Sequence, residues 1–225
     1  MALEDLICFK YLRNMSDANF TAERLLQINA VQLRPETPFT WASGWKSPIY
    51  CDNRKVLSHP YVRDYIKSEL CNVVFGKFPD AELIAGVATA GIAWGAMVAD
   101  QLKLPFVYVR PKPKEHGLGN QIEGEYHQNQ KVVVIEDLIS TGKSSLHVVA
   151  VLKKAGLNVL GMSSIFSYCF EEAREAFEGA GVELYSLTDY PSLLQVGIFK
   201  GIVKESEAEV LLNWRIDPKN WKGMY

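Results

Sequence analysis

From residue 82 onward, short uninterrupted apolar runs alternate with helical segments, and this alternation narrows the possible folds more than any other feature. The runs are ELIAGVA (82–88), PFVYVR (105–110), KVVVIED (131–137), NVLGMSSIFSY (158–168) and VELYSLTDY (182–190). Between them lie TAGIAWGAMVADQL (89–102, a turn and a helix), a helix over 144–155 closed by Gly156, and EEAREAFEGAG (171–181). Apolar runs without polar alternation suit strands buried on both faces. Strand–helix alternation predicts a mostly parallel sheet flanked by helices. A short docking helix is predicted over SEAEVLLNW (206–214).

The first part of the chain reads differently. Leu3, Leu6, Ile7 and Tyr11, then Phe20, Leu25, Leu26 and Ile28, recur at helical spacing. PFTWASGWKSPIYCDNR (38–54) holds two β-prone pieces around Ser43-Gly44, as in a hairpin or tight loop. Ser58-His59-Pro60 opens a helix whose apolar face is Tyr65, Ile66, Leu70, Val73 and Val74, with Gly76 as its end.

Bulk properties exclude several classes. With 48% hydrophobic and 22% charged residues the chain is an ordinary globular sequence, not a disordered one. A net charge of −2 provides no global basic field for holding nucleic acid. No apolar run approaches the ~18 residues of a membrane span. MALEDLICFKYLRN carries early acids and no signal-peptide core, so a native helix is expected there. Cys8, Cys51, Cys71 and Cys169 lack zinc-ligand spacing and read as free thiols in a reducing cytoplasm.

The densest chemistry lies in VVVIEDLISTGKSS (132–145). A buried strand delivers Glu136 and Asp137 at its C-terminal end, where ligands of open parallel sheets bind. The turn Ser140-Thr141-Gly142-Lys143-Ser144 then leads into a helix. Its backbone N–H groups, its hydroxyls and the helix N-terminus together make a phosphate cradle. The acids would repel a phosphate, so they are placed for sugar hydroxyls or for a hydroxyl-bound magnesium ion. A Walker A loop is excluded, because that pattern needs glycine where Asp137 stands. Between residues 110 and 131 lies PKPKEHGLGNQIEGEYHQNQ, too long for a local turn and rich in Lys, His and Gly. It is expected to be a mobile element, 111–130, closing over something anionic.

VVVIEDLISTGKS resembles the phosphoribosyl-pyrophosphate (PRPP) signature of type I phosphoribosyltransferases. The resemblance implies that Glu136 and Asp137 contact the ribose hydroxyls and that Leu138, Ile139, Ser140, Thr141, Gly142, Lys143 and Ser144 surround the 5-phosphate. RPKPKEHGLGNQIEG (110–124) resembles the catalytic loop of orotate phosphoribosyltransferases, with Arg110, Lys114, His116 and Gly117 matching its pyrophosphate-binding residues. FTWASGWKSPIYCDNR (39–54) resembles the same family's orotate-binding segment, in which the backbone around Tyr50 and Cys51 addresses the pyrimidine, with Ser140 beside it. The turn Gly86-Val87-Ala88-Thr89-Ala90-Gly91 reads either as close helix–sheet packing or as a pyrophosphate loop; the resemblance implies the second, with Thr89 and Ala90 at the ligand.

Some family residues are absent. Ala42 stands for a substrate-binding lysine, Pro111 for a second basic residue, Thr89-Ala90 for a Tyr-Lys pair, and FSYCFEEAR has no arginine at the end of its strand. Lys46 is the candidate partner for the orotate carboxylate. The tryptophans read as packing groups, with Trp45 set apart by its place in the orotate segment. The implied fold is the type I phosphoribosyltransferase α/β fold: a central, mainly parallel sheet flanked by helices, with a small N-terminal hood. Residues 1–60 would form the hood and 61–225 the PRPP-binding core. The implied activity is Mg²⁺-dependent transfer from PRPP to orotate in a cytoplasmic homodimer with shared active sites, with catalytic roles for Lys114, Arg110, His116 and Asp137. Transfer to another nucleobase, or PRPP sensing on the same fold, are the alternatives.

Overall fold

A computed structural model describes residues 17–41, 44–113 and 120–223. The elements in chain order are α1 (Asp17–Gln27), β1 (Val31–Leu33), β2 (Phe39–Thr40), β3 (Lys46–Ser47), β4 (Ile49–Cys51), a 3₁₀ helix (Asn53–Ser58), α2 (Pro60–Lys77), β5 (Leu83–Val87), α3 (Gly91–Leu102), β6 (Phe106–Val109) and β7 (Ile122–Glu123). They continue as β8 (Lys131–Ile139), α4 (Lys143–Lys154), β9 (Asn158–Ser167), α5 (Glu171–Ala180), β10 (Leu184–Asp189), α6 (Tyr190–Phe199), a short 3₁₀ turn (Glu205–Glu207) and α7 (Ala208–Ile216).

The central sheet has the order β10-β9-β8-β5-β6-β7, and every pairing is parallel except that of β6 with β7. Both faces are covered. Val132 and Val134 of β8 point with Leu83, Ala85 and Met162 into an apolar layer closed by Val148, Val149 and Leu152 of α4 and Phe177 of α5. Val133 and Ile135 point the other way, with Ile84 and Ile165, against Trp94 and Val98 of α3 and Ile66 and Leu70 of α2. A two-residue period with apolar groups on both sides is what a central strand requires. The expected alternation from residue 82 is therefore present.

Several boundaries differ from the sequence reading. β8 runs to Ile139 rather than stopping at Asp137, because β9 still pairs with it there: Leu138 lies opposite Phe166 and Ile139 opposite Ser167. Gly76 does not end α2; the helix continues to Lys77 and stops where Phe78 turns into the core. The residues after β10 form a helix the periodicity did not reveal. Asp189 caps it, accepting from the Ser192 N–H at 2.8 Å, and Pro191 lies in its first turn. The long interval before β8 is partly structured: β7 folds back on β6, and the Arg110 N–H donates to the Gln121 carbonyl at 2.9 Å.

The predicted hairpin is present. Phe39 pairs with Ser47 and Thr40 with Lys46, and Gly44 takes φ +84° in its turn. β1 pairs antiparallel with β4, and α1 packs against α6 and β10. Residues from the C-terminal part of the chain complete this layer. The Trp214 indole N–H donates to the Lys46 carbonyl at 3.1 Å, and Asn19 donates to the Gln195 side chain at 3.2 Å. Trp214 and Trp94 are fully buried, as packing groups should be. No described helix is long and apolar enough to cross a membrane.

Candidate active site

At the C-terminal ends of β5 and β8 a cleft of about 300 Å³ is lined by Val87, Ala88, Thr89, Ala90, Glu136, Asp137, Leu138, Ser140, Thr141, Gly142 and Ser144. Strand geometry sets the two acids apart. Glu136 faces α4, where it meets Ser145, and Asp137 faces the hood, where the charges of Arg54 and Asp52 reach it. Glu136 is 5% exposed, and its carboxylate accepts from the Ser145 hydroxyl at 3.1 Å and from the Asp137 N–H at 2.9 Å. Burial, then the neighbouring Asp137 charge, holds its carboxyl well above the usual range. Asp137 is also raised, chiefly by burial, but Glu136 hydrogen bonding and Arg54 oppose the rise. Both carboxyls are therefore raised, Glu136 the further, and they titrate as a pair rather than as separate groups.

The turn after β8 has the features of an anion cradle. Gly142 occupies the position before α4 with φ +78°, and a Cβ there would lie 2.8 Å from the Phe177 ring. The first N–H groups of α4 have no intrahelical acceptor, and the helix dipole adds positive charge. Opposite them, the β5–α3 turn packs against the sheet: a Cβ on Gly91 would lie 2.6 Å from the Ile135 carbonyl oxygen. Close packing and ligand access thus coexist, since Ala88, Thr89 and Ala90 of the same turn line the cleft. The Ala88–Thr89 peptide bond is cis.

The hood meets the acids through Asn53. Its side-chain amide donates to the Asp137 carbonyl at 2.7 Å, and the Cys51 thiol lies 3.3 Å from its Oδ1. Burial, reinforced by the Asp137 and Asp52 charges, pushes the Cys51 thiol well up, so it stays protonated. Tyr50 is 38% exposed beside it. Trp41, Tyr168, Phe170 and Trp214 form a ring cluster, centroids 5.1–5.9 Å apart, that fastens the hairpin to the end of β9.

Not every predicted residue reaches the cleft. Ile139 is fully buried with the α4 and α5 side chains, so only its backbone is near the site. Lys143 points away, pairing with Glu172 at 3.0 Å. Lys46 lines neither this cleft nor the next; its Nζ donates to the Thr40 hydroxyl at 3.0 Å on the hairpin. Arg110 stands at the root of the long interval, 3.7 Å from Glu123. Lys114, His116 and Gly117 lie outside the described residues. Asn53 and Ser145 were missed by sequence reasoning. Ser145 carried a signal, being a hydroxyl in the first turn of a helix that follows two buried acids. A larger cleft, about 610 Å³, lies between α5 and the ends of β9 and β10, has mainly apolar walls, and contains none of the predicted residues.

A family model described as the phosphoribosyl transferase domain matches residues 62–173. The orotate phosphoribosyltransferase of Phocaeicola vulgatus is 53% identical over 202 residues, covering 90% of this chain and 95% of its own. That of Bacillus cereus is 53% identical over 199 residues, covering 88% and 95%. Among solved structures, the orotate phosphoribosyltransferase from Aeropyrum pernix is 32% identical with a TM-score of 0.69, covering 77% of this chain and 96% of that one.

Proposed function

Because the chain belongs to the orotate phosphoribosyltransferase family, we propose that it transfers the 5-phosphoribosyl group of PRPP to orotate, giving orotidine 5′-monophosphate and pyrophosphate. The observation that carries this reading is the meeting of the Glu136-Asp137 pair and the 140–144 turn in one cleft. A cradle for a phosphate beside acids suited to hydroxyls fits a phosphorylated sugar. Sequence identity of 53% to an orotate phosphoribosyltransferase supports PRPP as that sugar.

The bond that breaks is at the anomeric carbon, so positive charge grows on the ribose and negative charge on the departing pyrophosphate. Preorganised electrostatics is the main catalytic device for such a step. The N–H groups and hydroxyls of 140–144 hold the 5-phosphate. Asp137 orients the ribose hydroxyls and faces the growing positive charge, while Glu136 fixes the Asp137 backbone. Thr89 and Ala90 meet the pyrophosphate across the cleft. Arg110, Lys114 and His116 neutralise it as it leaves. Ser140 borders the pyrimidine, and the hood strand that carries Tyr50 and Cys51 lies beside Asp137 without lining either cleft.

Asp137 also suits magnesium, a hard cation that prefers carboxylate, hydroxyl and phosphate oxygens. The ion is expected to arrive mainly on PRPP, with Asp137 near it. When bound, it would offset charge on the pyrophosphate and polarise the ribose hydroxyls. The proposal extends to a cytoplasmic homodimer in which the 111–130 loop reaches the partner's site. The direct test is ultraviolet absorbance. Orotate should be consumed when PRPP and Mg²⁺ are added, and adenine, hypoxanthine, xanthine and uracil should not. Preference for any of those bases would overturn the assignment.

A further inference from the structure

A second cleft, of about 380 Å³, adjoins the one that holds the acids, and the two share Ser140 and Thr141. A ligand resting on the acids and the phosphate turn therefore has this space as its continuation toward the hood. One wall is Trp41 and Trp45, stacked with centroids 6.3 Å apart at an interplanar angle of 20°. The rim carries Lys143 and Lys219, both leaning on Glu172, at 3.0 Å and 3.6 Å. Two ammonium groups on one carboxylate leave a positive charge uncompensated within the cluster. Of the nearby charges, Glu171 pairs with Arg174 and Arg215 donates to the Cys169 carbonyl, while Asp217, held only by the neutral Asn220, keeps its charge in the adjoining cavity that Lys219 also borders.

The two lysines are not equivalent. Lys143 holds the shorter pair with Glu172. Lys219 holds the longer one, and its Nζ is 5.6 Å from the Trp45 ring centroid. Lys219 is therefore the cation that an arriving carboxylate can detach at least cost, since Glu172 keeps Lys143. We propose that Lys219 is a specificity-determining residue that recognises the carboxylate of the pyrimidine substrate. The inference rests on the functional reading above. A planar acid needs a flat apolar wall and a cation at its charged edge, and this cleft supplies both next to the phosphoribosyl site. Lys46, the candidate from sequence, lines neither cleft.

Steady-state kinetics on Lys219→Met, Lys219→Arg and Lys46→Met decide the matter. Lys219→Met should raise the orotate KM about tenfold, the scale of one charge-assisted contact. The PRPP KM and the melting temperature should stay near those of the parent. Lys219→Arg should recover most of the loss, and Lys46→Met should behave like the parent. An unchanged orotate KM in Lys219→Met overturns the proposal, as does a parallel rise for both substrates. A parent enzyme that does not consume orotate overturns the functional reading and this inference together; an active parent with an indifferent Lys219→Met variant overturns this inference alone.

Discussion

At the scale of single residues, Glu136 and Asp137 are chemically alike and do different work because β8 turns them to opposite faces. Burial raises the Glu136 pKa in the folded state above its unfolded value of about 4.3. The stabilisation of the protonated form is complete below the unfolded value and is lost as pH rises through the folded one. Glu136→Gln keeps the shape without the titration. Its melting temperature should exceed the parent's at pH 7–8, with the gap closing as pH falls toward 4–5, at about 1.4 kcal/mol for each unit of displacement. A gap independent of pH would show that burial does not displace the Glu136 carboxyl from its unfolded value. Asp137→Asn should leave the fold intact but weaken PRPP binding in the presence of Mg²⁺, as titration calorimetry beside a thermal melt would record. Lys114→Ala should lower kcat by about 10²–10³ with a smaller change in orotate KM, since it removes a donor to charge that grows as the bond breaks.

Among the elements, the strands and the turn after β8 were legible because their signals are local. Four aliphatic residues followed by two acids and a small-residue turn leave few physical alternatives. The end of β8 was not legible, because it depends on β9 lying alongside Leu138 and Ile139. The position of Lys46 was hidden for a similar reason: its sequence neighbours do not reveal that the hairpin turns it toward Thr40. Lys219 gave no local signal, since its partners Glu172 and Trp45 are distant in the chain. α6 could have been found from its Asp189 cap and Pro191. The β5–α3 turn makes its own prediction. In Gly91→Ala the added methyl would press on the Ile135 carbonyl, a backbone atom that cannot yield cheaply. The variant should lose about 1–3 kcal/mol by urea unfolding, as overpacked sites do. Its PRPP KM should rise as well, because Thr89 and Ala90 move with the turn. A variant as stable as the parent would mean that the strand and helix are not so tightly joined.

For the whole molecule, the shared-site proposal gives a quantitative expectation. Lys114→Ala is defective in the loop and Asp137→Asn in the main site, so each homodimer should be nearly inactive. In a mixed dimer one composite site collects both defects and the other neither. Random reassortment makes about half of the dimers mixed, so roughly a quarter of the parent activity should return. Refolding the two variants together and assaying orotate consumption would measure this. If mixed dimers form and remain inactive, each loop serves its own subunit.

The way the hood is closed also bears on the order in which the protein can be made. Its N-terminal pieces depend on residues that leave the ribosome much later: Asn19 on Gln195, Glu36 on Lys204, and the Lys46 carbonyl on Trp214. The parallel sheet from β5 to β10 has its partners near at hand and can assemble during synthesis, whereas the first strands and α1 wait for α6 and α7. Through that interval the apolar faces of Leu25, Val31 and Ile49 lack their final cover. On a nascent chain the hood residues from Asp17 onward are thus the part most in need of protection, and the hood is the last part of the molecule to be completed.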